Sequence, residues 1–331
     1  MATALEPSRI DAHTHAYHGL VSPYTVSDFA RQQNESHWAT LHCPPKSLQD
    51  WPADHQEWIA RQQRAGINHS LILGWYWENP STTLLQNHHL RSSIPLLDPH
   101  RTCFASVHPA LPARETIADL LKCEAAGFLG IGEIHPTLQG FPLNHPAWEP
   151  IFRFASDHSW PVTIHISEPL GRPHPGNLPT PLLPILHLVE AFPDLTVILA
   201  HWGGLACFFE LNPYIAKRFR RVYYDTAASP LLYSDRIWQS VLQAVAVEKI
   251  LFGSDFPLRL SRHQNEASTI PLLDQAASNL SPEAFAAITH QNILRTLPSL
   301  ANRQGTSHPE GFNLPTPTPP DGAEKTPPVS E

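Results

Sequence analysis

Cysteine is scarce in this chain: Cys43, Cys103, Cys123 and Cys207 are the only four in 331 residues. They form neither a CxxC pair nor the dense framework of a small secreted domain, so they read as reduced, buried small hydrophobes. Basic residues are also few. Against 30 Asp and Glu stand 22 Lys and Arg, a formal charge of -8 and a pI near 6.2. No run of lysine or arginine makes a phosphate-tracking stripe, and a nucleic-acid partner is not expected. No stretch of eighteen or more apolar residues occurs, and MATALEPSRIDAHTH lacks a basic segment followed by an apolar one. Neither a membrane span nor a signal peptide is therefore expected, and a cytoplasmic location is the default.

What is present is a 42% hydrophobic composition in a chain long enough for one large barrel or two average domains. Short apolar runs end in polar or histidine-containing turns, and most are followed by a segment of helical periodicity, the alternation of a parallel sheet with crossover helices. Eight such runs follow in order: RIDAHTH, SLILGWYW, CFASVHPA, GFLGIGEIHP, PVTIHISEP, TVILAHWGG, RVYYDTAAS and KILFGSDFP. Eight is the number a closed (β/α)8 TIM barrel needs. ADHQEWIARQQRAG, RETIADLLKCEAAG and AWEPIFRFASDHS fit as helices between them, two of them ending in the glycine common at C-caps. We expect an N-terminal extension over 1–8, a single barrel over 9–301, and a disordered proline-rich tail over 302–331. One long interruption, 17–53, separates the first strand from its helix; a connection of that length is usually functional or partly helical itself.

His13 and His15 in IDAHTH are two apart in a strand, so both side chains project to one face, as two ligands of one metal must. With 21 histidines in the chain, roughly one HxH arises by chance, so the pair alone carries little. Position carries more. Glu133, His165, His201 and Asp255 each stand at the C-terminal end of a different apolar run, where a barrel gathers its catalytic groups. Singly, each has a structural alternative: His165 as a satisfied strand histidine, Asp255 as a turn cap, Glu133 as the partner of an arginine, His201 as donor to a backbone carbonyl. Imidazole and carboxylate together suit Zn, Mn or Fe better than magnesium. In the loops beyond the strand ends, Glu168, Arg172, His174, Trp75, His108 and Trp202 are candidates for substrate binding. Arg172 offers a bidentate fork for a carboxylate, and Trp75, Tyr76 and Trp77 offer an aromatic wall. Asp225, at the end of the seventh run, could fix a histidine tautomer.

With DAHTH, GFLGIGEIHP, PVTIHISEP, PDLTVILAHWGG, VYYDTAA, ILFGSDFP and HQNILRTL in place, residues 9–300 resemble the amidohydrolase superfamily, in particular the amidohydrolase-related group of aminocarboxymuconate-semialdehyde decarboxylase-like enzymes and related hydrolases. The resemblance implies that His13, His15, His165 and Asp255 hold one divalent metal, zinc first, and that His201 is a ligand or an acid/base. Glu133 decides whether there is a second ion. It further implies metal-activated hydrolysis of an ester, lactone or amide in a small carboxylated substrate, with Asp255 and His201 catalytic, and a homodimer. Non-oxidative decarboxylation at the same metal, a TatD-type nuclease, and a non-catalytic barrel with a vestigial site are the alternatives.

Overall fold

The computed structural model describes residues 8–16, 26–41, 48–93, 101–171, 177–261 and 263–303. The expected N-terminal extension, all but its last residue, lies outside them, as do Arg172, His174 and the tail from 304 onward. Each of the eight apolar runs supplies a strand: β1 (Ile10–Thr14), β2 (His69–Ile72), β3 (Arg101–Cys103), β4 (Ile131–Ile134), β5 (Val162–Ile164), β6 (Val197–Leu199), β7 (Val222–Asp225) and β8 (Ile250–Leu251). All neighbouring pairs are parallel, in the orders β1-β2-β3 and β4-β5-β6-β7-β8. Single parallel bridges join the two sheets at both edges, Ala105 with Ile131 and Thr14 with Phe256. Backbone bonds reinforce both seams: Ala105 N–H to the Gly130 carbonyl, Ala12 N–H to that of Phe252, and Asp255 N–H to that of His13. The eight strands thus run in sequence order round a (β/α)8 barrel.

The three helices that periodicity placed form at 55–64, 113–125 and 149–157, among others. After two short helices, α1 (Val26–Gln32) and α2 (Ser36–Leu41), come α3 (His55–Arg64), α4 (Pro80–Ser93), α5 (Ala113–Ala125), α6 (Glu149–Asp157) and α7 (Leu183–Ala191). Asp54 caps α3 by accepting from Glu57 N–H, satisfying one of the four orphan donors of a helix start. Strand residues are buried on both faces, as a helix-wrapped parallel sheet requires. Val197 and Leu199 join the large cluster that contains Leu120, Phe152 and Leu188 of the helices. Ile198 between them joins Leu71, Phe104 and Leu251 in a second cluster, to which Leu297 and Leu300 near the C-terminal end add. Cys103, Cys123 and Cys207 are buried free thiols, as expected.

The interruption after β1 is partly helical and folds onto the end of β2. Trp38 of α2 stacks on Trp75 with centroids 4.1 Å apart, and Val26, Phe29, Trp38, Trp75, Tyr76 and Trp77 make one buried aromatic cluster. Two carboxylates clasp the contact reciprocally. Glu35 accepts from the backbone N–H groups of Glu78 and Asn79, and Glu78 accepts from Ser36 Oγ and His37 N–H. Among the described residues no helix is long and apolar enough to cross a membrane.

Candidate metal centre

The expected site residues converge on the C-terminal ends of the strands, and each histidine is held by one ring nitrogen while the other turns inward. His13 Nδ1 donates to Asp225 Oδ2 at 2.8 Å, His15 Nδ1 to the Leu73 carbonyl at 3.3 Å, and His201 Nδ1 to the Ala227 carbonyl at 3.0 Å. His165 presents its other nitrogen, Nε2, to Ser167 Oγ at 3.3 Å. An acceptor on Nδ1 fixes the Nδ1–H of His13, His15 and His201, so that Nε2 is the nitrogen each of them offers to a metal once any proton there is displaced. The backbone carbonyl that could have explained His201 as purely structural is present, yet it occupies the nitrogen a ligand does not need.

Glu133 stands in the middle. Its Oε2 lies 3.5 Å from His13 Nε2 and 3.9 Å from His15 Nε2; its Oε1 lies 2.9 Å from His165 Nδ1 and 3.7 Å from His201 Nε2. Asp255 Oδ1 is 3.2 Å from His15 Nε2 and 3.8 Å from His13 Nε2. The donor atoms of His13, His15 and Glu133 lie within 4.8 Å of one another, and so do those of Glu133, His165 and His201. Two donors about 2.1 Å from one ion in tetrahedral directions stand about 3.4 Å apart, so both groups fit a divalent cation. His13 Nε2 supplies the direct test, being buried without a hydrogen-bond partner; a polar atom so placed is costly unless something coordinates it. Among the described residues the ion-pair partners of Glu133 are histidines and no arginine.

Electrostatics bind the group together. Burial alone would push His13 down, but the Glu133 and Asp225 carboxylates hold it well above the ordinary imidazole range. Burial would likewise raise Glu133, but His13 and His165 keep it well below the carboxylate range. His201 is raised to about 9, the pull of Glu133, Asp255 and Asp225 overcoming its burial. Asp255 is lowered, its burial outweighed by His15 and His13. With 17% side-chain exposure against 3% for Glu133, Asp255 is the carboxylate that solvent reaches. It sits at φ 67°, a left-handed conformation that Asp and Asn tolerate better than other non-glycine residues.

Two neighbours fix this geometry without being ligands. Asp225 holds His13 through Oδ2 and accepts the backbone N–H groups of His201 and Ala227 through Oδ1, so one carboxylate sets two of the histidines. Asp225→Asn is expected to weaken metal binding about 10- to 100-fold while leaving the circular dichroism spectrum unchanged, as a chelator-competition titration will measure. Gly253 is needed for closeness: a Cβ there would meet His13 Cβ at 2.7 Å. Gly253→Ala should displace β1 against β8, costing about 1–3 kcal/mol as overpacking does. A lower melting temperature and weaker metal retention together would register it; an unchanged pair of values would refute it.

The substrate-binding candidates divide. Trp75 borders the centre, its ring 5.5 Å from that of His15. Tyr76 lies beside it, 5.0 Å from His165 by ring centroid, its hydroxyl kept protonated by burial and by Glu133 and Asp255. Glu168 is buried and, after burial itself, is what raises the Tyr233 hydroxyl. His108 is engaged elsewhere: Nε2 donates to the Glu78 carbonyl, Nδ1 accepts from Ala110 N–H, and burial lowers it to about 4, so it holds backbone rather than substrate. Trp202 turns into the core, edge-on to Trp238 and donating to Ser229 Oγ. Arg172 and His174 lie outside the described residues. His135 was not among the candidates, yet its ring stacks on His165 at 4.9 Å, and burial followed by His165 pushes it well below the usual imidazole range.

A family model described as amidohydrolase matches residues 10–298. No curated relative matches the chain. Among solved structures, the fold is similar to 5-carboxyvanillate decarboxylase from Sphingomonas paucimobilis, with 14% identity over 88% of this chain and 99% of that one at a TM-score of 0.61. It is similar to 4-oxalomesaconate hydratase from Rhodopseudomonas palustris, with 16% identity over 89% and 97% at 0.61. It is similar too to a probable 2-pyrone-4,6-dicarboxylic acid hydrolase from Acinetobacter baumannii, with 14% identity over 88% and 99% at 0.57.

Proposed function

This chain belongs to the amidohydrolase family, and on that footing we propose that it is a metal-dependent hydrolase, with zinc as its metal, acting on an ester, lactone or amide of a small carboxylated substrate. The observation that carries the reading is the inward set of nitrogens around Glu133, with His13 Nε2 buried among them and without a hydrogen-bond partner among the described residues. His13 and His15 face Glu133 Oε2 and carry Asp255 Oδ1 beside them, and His165 and His201 face Glu133 Oε1. One carboxylate with three donors on one side and two on the other fits two ions, where the sequence pointed first to one.

Divalent metal held by these residues supplies Lewis acidity toward a substrate carbonyl and acidifies water. The chain does the rest. Asp255, depressed and therefore ionised near neutrality, accepts a proton from the attacking water at Oδ1 and passes it to the leaving group. The Trp75, Tyr76 and Trp38 rings exclude bulk water from one side, which strengthens every charge interaction within. Carboxylated substrates are supported by the names of the fold neighbours, which pair carboxylate-bearing compounds with decarboxylase, hydratase and hydrolase activities. The decarboxylase among them gives the second reading, release of CO2 from an aromatic carboxylate at the same residues.

Metal analysis of zinc-reconstituted protein with a screen of esters, lactones, amides and aromatic carboxylates tests the proposal. Close to two equivalents of zinc and turnover of a hydrolysable substrate are expected. Well under one equivalent would overturn it, and CO2 release without any hydrolysis would move the assignment to the second reading.

A further inference from the structure

His135 stands two residues after Glu133, at the end of β4, and is almost wholly buried. One face of its ring stacks on His165, centroids 4.9 Å apart at 20°, and the edge of Tyr76 meets it at 5.0 Å. The Leu138 backbone N–H points at Nδ1, 3.5 Å away, so Nδ1 carries the lone pair and the ring proton resides on Nε2. That Nε2–H is buried and has no hydrogen-bond partner among the described residues. The other buried polar atom of the site left so, His13 Nε2, is explained by metal. Nε2 of His135 cannot be explained that way, because a protonated nitrogen does not ligate; it requires an acceptor. His37 of α2 lies within electrostatic reach of the ring, which brings the segment after β1 to the same spot.

We propose that His135 is a substrate-binding residue: its Nε2–H donates to an oxygen of the substrate's carboxylate, and the Tyr76 edge packs against the substrate's planar body. The inference rests on the reading of the centre as a metal-dependent carboxylate-handling site, and it adds the residue that recognises the carboxylate. An unfilled donor beside the metal ligands is a binding contact waiting for its acceptor, and a buried donor discriminates strongly against ligands that lack one.

The test is calorimetric titration of the zinc-loaded protein with isophthalate, in wild type, His135→Phe and His135→Gln, with zinc equivalents measured on each. Phe keeps a ring to stack on His165 but has no N–H; Gln keeps a donor. The Phe variant is expected to bind isophthalate about 10- to 100-fold more weakly, the loss of a hydrogen bond to a charged group, at unchanged zinc content, with Gln recovering most of the affinity. Equal affinity in Phe and wild type overturns the proposal, and so does a loss that travels with loss of zinc, which would make His135 structural. Zinc-replete wild type with no saturable isophthalate binding overturns it too and leaves the metal reading standing. A wild type that takes up no zinc fails the metal reading, and the Phe to wild-type ratio on metal-free protein then decides the inference. Should the Phe variant not fold, the His135 Nε2–H proton resonance of the wild type decides it: a downfield shift on adding isophthalate supports the contact, and an unmoved resonance refutes it.

Discussion

Glu133→Gln will fold, retain at most one equivalent of zinc, and lose about a hundred- to a thousandfold in turnover, the scale on which electrostatic groups at a reacting centre act. The substitution changes almost no volume; it changes charge and donor count. In the wild type both carboxylate oxygens are in use, one facing His13 and His15 and the other His165 and His201. A glutamine offers one oxygen to one side and an N–H pair to the other, and it no longer balances the histidines. Removing one partner from a buried ionic group leaves the others uncompensated, which costs more than the pair contributed. Atomic absorption on the purified variant reads the metal, and an assay on any substrate found by the screen reads the chemistry. Full zinc content with wild-type turnover would show that Glu133 is only a neighbour.

Stripping the metal should abolish turnover outright, and its return should depend steeply on pH. In the metal-free protein His13 is held well above its ordinary value and His201 at about 9, so both are protonated at neutrality, and a cation must displace those protons. Each displaced proton makes affinity rise about tenfold per pH unit below its pKa. Zinc affinity should therefore climb from pH 6 toward pH 9 and then level. Stability of the stripped protein runs the other way. The raised histidines stabilise it fully below about 6.5, and His201 loses that contribution as pH rises through about 9. The depressed Glu133 and Asp255 stabilise it above their ordinary values of 4.5 and 3.8 and lose that contribution as pH falls. Chelator-treated protein should melt highest between roughly pH 5 and 6.5, and zinc should raise the melting temperature more at pH 8.5 than at pH 6. A zinc-induced shift independent of pH would contradict the protonated state of the histidines.

Why these residues could be read from the sequence, and others could not, follows from geometry. Barrel strands are short apolar runs whose ends meet, so a histidine or carboxylate at the end of five separate runs was legible without knowing any contact. The third strand was displaced: the apolar run begins at Cys103, where β3 ends. Arg101 and Thr102 look polar and unlike a buried strand, but the Arg101 guanidinium lies 5.0 Å over the Trp58 ring and the Thr102 hydroxyl meets His69 Nε2. His108 and Trp202 were chosen for chemical type, and type does not reveal which way a ring turns. His135 was missed although the rule that found His13 and His15 applies to Glu133 and His135, two apart at a strand end; the signal was there and was spent on the HxH alone. The division of Glu133 between two sets of nitrogens was not legible at all, since no one-dimensional spacing says which oxygen faces which strand.

The seam between β1 and β8 sets a condition on biogenesis. Thr14 bridges to Phe256, and Asp11 accepts from Ser254, across 243 positions of chain for the latter pair. During synthesis, therefore, the first strand waits with an open edge, its two histidines already made, until its partners 243 positions further on have been added. An unpaired edge of that kind is an aggregation hazard for any growing chain. A chain cut short before residue 250 would carry most of the histidines with no closing strand to hold them together.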